Sequence, residues 1–176
     1  MSNDITVRQA TARDISELAD IAERTFPLAC PADTSSKDIQ DYIQQSLSEV
    51  AFGDHMSSAE TDFYLAGVGE GAAVGYSMLV DGSSGGPAGM GEDLVELRRI
   101  YVVAEAHGKG VGAALLERAE KRARGLGRSG IWLGTNQANH RAISFYRKHG
   151  FQQVGTRTFE VGKSVEQDFV MTKQLG

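Results

Sequence analysis

The segment Ile100-Tyr101-Val102-Val103-Ala104-Glu105-Ala106-His107-Gly108-Lys109-Gly110-Val111-Gly112-Ala113 constrains the fold more than any other stretch of the chain. Its first four residues are β-branched or aromatic and read as the end of a strand. Gly108, Gly110 and Gly112 then occupy alternate positions. Directly after them Ala113, Leu115, Leu116, Ala119 and Ala123 recur at helical spacing. A chain that passes from strand to helix through glycines can bring backbone N–H groups close to a ligand. The first N–H groups of the helix lack internal acceptors, and the helix dipole adds partial positive charge there. The segment therefore predicts a phosphate-binding turn. Two familiar phosphate motifs do not fit. A P-loop needs Ser or Thr after Gly-Lys, but Gly110 follows Lys109. A Rossmann fingerprint needs a third glycine where Leu115 stands, and Gly130 lies near the place of the ribose-binding acid.

The flanking pattern predicts alternating elements. Ile5 to Ala10 alternates as a half-buried strand, and Thr11-Ala12-Arg13-Asp14 resembles a capping box before a helix that should stop near Phe26-Pro27. Ser35 or Ser36 opens a second helix, with no clear stop signal between Val50 and Ser58. Phe63–Val68 and Ala73–Val80 read as strands joined at Gly69-Glu70-Gly71. Gly82 to Gly91 reads as a loose loop between strands. Leu94–Val103 and Ile131–Thr135 are further strands, and Asn139 caps a helix that Gly150 ends. Phe151–Phe159 and Val165–Thr172 close the sheet. With 176 residues and no long linker, residues 1–176 are expected to form one α/β domain. Trp132 and Phe151 are expected in its core.

Glycine is in excess, 21 of 176 residues, against a usual ~7%. Cys30 is the single cysteine, which excludes an internal disulfide framework and a cysteine-rich zinc site. No apolar run approaches the ~20 residues of a membrane span. Met1-Ser2-Asn3-Asp4 lacks the basic start of a secretory signal, so a cytoplasmic location is expected. The charge is uneven. Residues 1–93 carry 4 Lys/Arg against 16 Asp/Glu, and residues 94–176 carry 14 against 7. The asymmetry suggests two surfaces with different partners. The overall net charge of −5 argues against a nucleic-acid binder.

His107-Gly108-Lys109-Gly110-Val111-Gly112 resembles the pyrophosphate loop, Gln/Arg-x-x-Gly-x-Gly/Ala, of the GNAT superfamily of N-acetyltransferases. His107 departs from the usual first residue. Asn139-His140-Arg141-Ala142-Ile143-Ser144-Phe145-Tyr146-Arg147-Lys148-His149-Gly150-Phe151 resembles the second signature of that superfamily. Asn139 and Tyr146 stand two helical turns apart and so share a face. The resemblance implies a mixed, mostly antiparallel sheet with a central parallel splayed strand pair flanked by helices. It implies acetyl-CoA as cosubstrate, with backbone groups of Ile100, Tyr101 and Val102 along the pantetheine arm and an N–H there on the thioester oxygen. His107, Gly108, Lys109, Gly110, Val111, Gly112 and Ala113 would surround the pyrophosphate. Asn139 would bond the arm or serve as a plain helix cap. Tyr146 would protonate the departing thiolate, since a phenol is neutral at pH 7.

Some members place a basic Glu where Gly134 stands; others place it where Glu96 stands. Period-two alternation puts Glu96 on the face of Ile100 and Val102, and Glu96 is the candidate proton acceptor. Its alternatives are an ion pair with Arg98 or Arg99, or proton loss to solvent. In the resembling architecture the acceptor lies against the N-terminal helices. Asp33, Asp38, Asp41, Glu49, Asp54, Glu60 and Asp62 there suggest a cationic amine. The start of those helices and Glu96–Val102 also resemble bacterial polyamine acetyltransferases. The basic group Arg118, Lys121, Arg122, Arg124 and Arg128 is either a solvated face or a contact to the CoA 3′-phosphate. The rival reading is a degenerate acyl-CoA-binding regulatory domain without turnover. A homodimer is left open.

Overall fold

The computed structural model describes residues 4–82 and 93–176. The loop expected at 82–91 lies outside the described residues beyond Gly82, as do the first three residues of the chain. Seven strands form one sheet: β1 Ile5–Gln9, β2 Thr61–Val68, β3 Ala73–Val80, β4 Leu94–Val102, β5 Gly130–Asn136, β6 Gln152–Val161 and β7 Ser164–Gln174. Their order is β1-β2-β3-β4-β5-β7-β6. Every neighbouring pair is antiparallel except the central β4–β5 pair. The helices are α1 Ile15–Ala29, α2 Ser36–Ser46, α3 Glu49–Met56, α4 Val111–Gly125 and α5 His140–Lys148.

The capping chemistry at the start holds. The Asp14 carboxylate accepts the Thr11 N–H at 2.8 Å and pairs with both terminal nitrogens of Arg8. Beyond that point α1 overruns its expected stop and ends at Ala29, with Pro27 in its last turn and Cys30 N–H closing on the Pro27 carbonyl at 3.3 Å. A proline near a helix C-terminus costs one hydrogen bond, and the packed Phe26 holds the turn. The second helix proves to be two. Ser35 caps α2, and Ser48 caps α3 by accepting the Ala51 N–H at 3.2 Å. The second cap breaks what periodicity left continuous.

Helices cover both faces of the sheet. A Cβ at Gly75 would touch Leu115 of α4, whereas its neighbour Tyr76 meets Phe52 of α3. Adjacent strand residues point oppositely, so α4 and α3 lie on opposite sides. Trp132 and Phe151 are buried as expected. The uneven charge is used partly inside the fold. Arg122 on α4 pairs with Asp62, and Arg128 pairs with Asp81. Arg118 lies over the Tyr64 ring. Much of the basic face thus meets the acidic half of the chain.

Two irregularities shape the centre. Among the described residues, β4 and β5 pair only at Leu94–Gly130, Val95–Ile131 and Glu96–Trp132, and then they part. On its other edge β4 carries a bulge. Leu79 faces Leu97 and Met78 faces Arg99, so Arg98 is the extra residue. The bulge corrects the alternation expected for Glu96. That side chain shares the α3 face with Arg99 and Tyr101, and Ile100 and Val102 face α4.

Candidate active site

A cleft of about 1130 Å³ opens where β4 and β5 part. Residues of β4, the 107–113 turn, Asn139 and Tyr146 all line it, so the folding chain brings together nearly the whole set singled out in the sequence. Lys109 is the exception. It is exposed beside the turn and does not line the cleft.

Strand alternation decides which backbone groups face the gap. Val103 N–H donates to the Val74 carbonyl of β3 at 2.9 Å. The backbone groups of Tyr101 then also turn to β3, and those of Ile100 and Val102 turn to the open side. Tyr101 contributes its ring, 5.9 Å from that of Tyr76. His107 folds back on the strand, with Nε2 2.7 Å from the Val102 carbonyl oxygen. It therefore ties the turn to the strand end.

The turn has the backbone shape of an anion cradle. Gly108 and Gly110 have φ of +80° and +87°, the left-handed region that side chains avoid. The first turn of α4 leaves the amides of Val111, Gly112 and Ala113 without intrahelical acceptors. A Cβ at Gly112 would come 3.4 Å from the Phe145 ring, so the glycine lets α5 approach.

Asn139 caps α5, its Oδ1 accepting the Ala142 N–H at 3.2 Å. That leaves its amide nitrogen for other uses. Two turns on, Tyr146 is only 7% exposed. Its ring packs against Phe145 and Phe151. Burial pushes its phenol well above the usual value, so it stays protonated at neutral pH and can donate. Burial also raises the Cys30 thiol to about 11. Its thiolate is scarce at neutral pH, in keeping with a packing role.

Glu96 is 3% exposed and accepts from Arg98 at 2.8 and 3.2 Å. The ion pair weighed as its alternative role is thus formed. Gly134 has a separate cause. A Cβ there would collide with the Arg157 guanidinium, so glycine makes room for it. Arg157 stacks near Trp132 and bonds the Asp168 carboxylate at 3.3 Å. Burial raises the Asp168 carboxyl above the ordinary range, against the lowering pull of Arg157. Arg99, Arg157 and Asp168 all line the cleft and were not assigned site roles in the sequence. The β6–β7 register that brings Arg157 to Gly134 leaves no local signal. The bulge that turns Arg99 into the cleft leaves none either.

Residues 15–151 match the model of the acetyltransferase (GNAT) family. The chain belongs to that family. It is 38% identical over 162 residues to an N-acetyltransferase of Mycobacterium tuberculosis, covering 92% of this chain and 98% of the relative. A Lactobacillus delbrueckii N-acetyltransferase is 27% identical over 175 residues, with 97% and 98% covered. Among solved structures, the PaiA N-acetyltransferase of Thermoplasma acidophilum in complex with coenzyme A superposes with a TM-score of 0.80. It is 22% identical, with 98% of this chain and 99% of that one covered. That likeness, at such low identity, speaks for the fold.

Proposed function

We propose that this GNAT acetyltransferase moves an acetyl group from acetyl-CoA to a primary amine by direct attack in the cleft. The observation that carries the reading is the parting of β4 from β5 after Glu96–Trp132, beside the left-handed glycine turn of α4 and the buried Tyr146. Unpaired amides at a helix start suit a pyrophosphate.

Acetyl-CoA supplies an acetyl group already activated as a thioester. The amides from Gly108 to Ala113 hold its pyrophosphate, with Lys109 adding charge at the rim. Ile100 and Val102 offer their open-side backbone groups to the pantetheine arm, the Val102 carbonyl being shared with His107. An N–H of this pair stabilises charge on the carbonyl oxygen as the amine attacks. Asn139 bonds the arm through its amide nitrogen while its oxygen caps α5. Tyr146 donates its proton to the departing sulfur. Glu96 receives the amine proton through water, with Arg98 holding the carboxylate in place.

The amine arrives as an ammonium and is cationic in that form. Of the acids between residues 26 and 62, only Glu60 lines the cleft, and Asp38 and Asp62 are bonded elsewhere. The carboxylates lining the cleft, and so able to greet the ammonium, are Glu60, Glu96, Glu166 and Asp168. An extended polyamine would meet Arg98, Arg99 and Arg157 on the same wall, which weighs against that acceptor class.

Thiol release from acetyl-CoA, measured with a panel of primary amines, tests the proposal. Amine-dependent release with equimolar N-acetyl product is expected. Coenzyme A binding without release on any amine would favour the regulatory-domain reading.

A further inference from the structure

Three arginines of the sheet line the cleft, and two have carboxylate partners. Arg98 is paired with Glu96 and Arg157 with Asp168. Arg99 has no ion pair among the described residues, although it is only 7% exposed. Its Nη1 is buried without any hydrogen-bond partner. Its Nη2 makes one long bond, 3.4 Å, to the Ser46 carbonyl at the end of α2. The guanidinium also lies 5.6 Å from the centroid of the Phe52 ring. A helix C-terminus and an aromatic face each compensate a cation in part. Neither replaces a counter-charge for a group taken out of water.

Glu96 is the next side chain on the same strand face and is held by Arg98, whereas the groups facing Arg99 from the neighbouring elements are neutral. The charge of Arg99 is felt by the Tyr42 and Tyr76 phenols and by the His55 imidazole, on α2, β3 and α3. Burial holds both phenols protonated, and it lowers the imidazole toward its neutral form. The Tyr76 hydroxyl is itself buried without a partner. Arg99 thus stands at the cleft wall as a permanent cation with an unused donor, while the Tyr76 phenol is buried behind it. Such a cation suits an anionic oxygen.

We infer that Arg99 binds an anionic group of the acceptor, so that the substrate is an amine that also carries a carboxylate. This rests on the transfer reading above and narrows it from primary amines to zwitterionic ones. Glu96, Glu166 and Asp168 face the ammonium end, and Arg99 takes the carboxylate end. Arg99 lies two residues from Tyr101 on one strand face, about 7 Å along the strand. A small amino acid can bridge that distance; no long chain is needed. A carboxylate on a guanidinium forms parallel bonds that a lysine ammonium does not reproduce.

The test compares each amino acid with its decarboxylated amine: phenylalanine with 2-phenylethylamine, leucine with 3-methylbutylamine, and β-alanine with ethylamine. A further arm, 2-aminoethylphosphonate against β-alanine, tells a phosphonate from a carboxylate. Wild-type kcat/KM should favour the carboxylated member of at least one pair by tenfold or more. Arg99→Met should abolish that preference, and Arg99→Lys should return part of it. Because Arg99 has no ion pair among the described residues, Arg99→Met should leave Tm unchanged or higher, whereas a purely structural arginine would lower it. Calorimetric titration of the CoA-saturated protein with the same pairs reads the preference without turnover. Carboxylate-selective binding with no thiol release would therefore refute the transfer step and uphold this site. Equal or better use of the decarboxylated amines, or a preference that survives Arg99→Met, would overturn the inference. A phosphonate favoured over its carboxylate would overturn the carboxylate assignment.

Discussion

Replacing Tyr146 by phenylalanine should remove one proton donor and little else. The ring stays, and with it the edge contacts to Phe145 at 5.4 Å and to Phe151 at 5.6 Å. Stability should therefore change by less than about 0.5–1 kcal/mol, and Tm by a few degrees at most. Catalysis should change far more. A positioned general acid contributes roughly 10²–10⁴-fold, about 3–5 kcal/mol of barrier at 1.36 kcal/mol per decade. The expected result is a fall in kcat of at least a hundredfold in a thiol-release assay, with little change in KM for acetyl-CoA. Burial fixes the sign of the pH dependence. The phenol is held protonated to well above its ordinary value, so its donor form persists across the neutral and mildly alkaline range. A kcat within twofold of wild type at unchanged Tm would refute the acid assignment. A wild-type decline below pH 9 that vanishes in Tyr146→Phe would refute the pH argument.

Three further changes bear on other parts of the account. Glu96→Gln keeps the shape of the side chain but removes the charge that holds Arg98, so kcat/KM should fall at least tenfold; a kcat/KM within twofold of wild type would place the proton acceptor elsewhere. Gly110→Ala has room, with Ile5 Cδ1 3.5 Å from the new carbon. The left-handed φ still costs it about 1–2 kcal/mol, or a Tm fall of roughly 2–8 °C, and KM for acetyl-CoA should rise. Asp14→Ala should cost about 1 kcal/mol in urea unfolding near pH 7, because the Thr11 N–H loses its acceptor. Arg8 and that N–H hold the Asp14 carboxyl far below its ordinary value. Its stabilisation is therefore complete above the ordinary Asp range and fades only as pH falls toward the depressed value, and the variant should lack that acid loss.

The fold was legible where local chemistry and periodicity agree. Thr11 and Asp14 marked a helix start, and Asn139 marked another. Gly108 and Gly110 marked the turn, because φ values of +80° and +87° suit almost no other residue, and Gly112 marked the close approach of Phe145. The long reach of tertiary pairing was not legible. One extra residue at Arg98 reverses the facing of every side chain after it, and a period-two reading from Glu96 forward cannot register that. The same slip turns Arg99 toward α2 and α3. Gly134 looked like a lost base, but its cause lies on β6, where Arg157 needs the space. The acids of the N-terminal half read as an acceptor surface. Asp62 instead pairs with Arg122, and Asp38 is bonded to Ser164, both from the other half of the chain. Composition counts charges and is blind to which of them neutralise one another.

The central claim is that one cleft passes an acetyl group directly from thioester to amine. Initial rates measured while acetyl-CoA and a competent amine are varied together test it most directly, with intact-mass analysis of the protein alongside. Intersecting double-reciprocal lines, equimolar thiol and N-acetyl product, and no mass gain on the protein are the predicted result. Parallel lines with an acetylated protein would contradict direct attack, and saturable coenzyme A binding with no amine-dependent thiol release would contradict the enzyme itself.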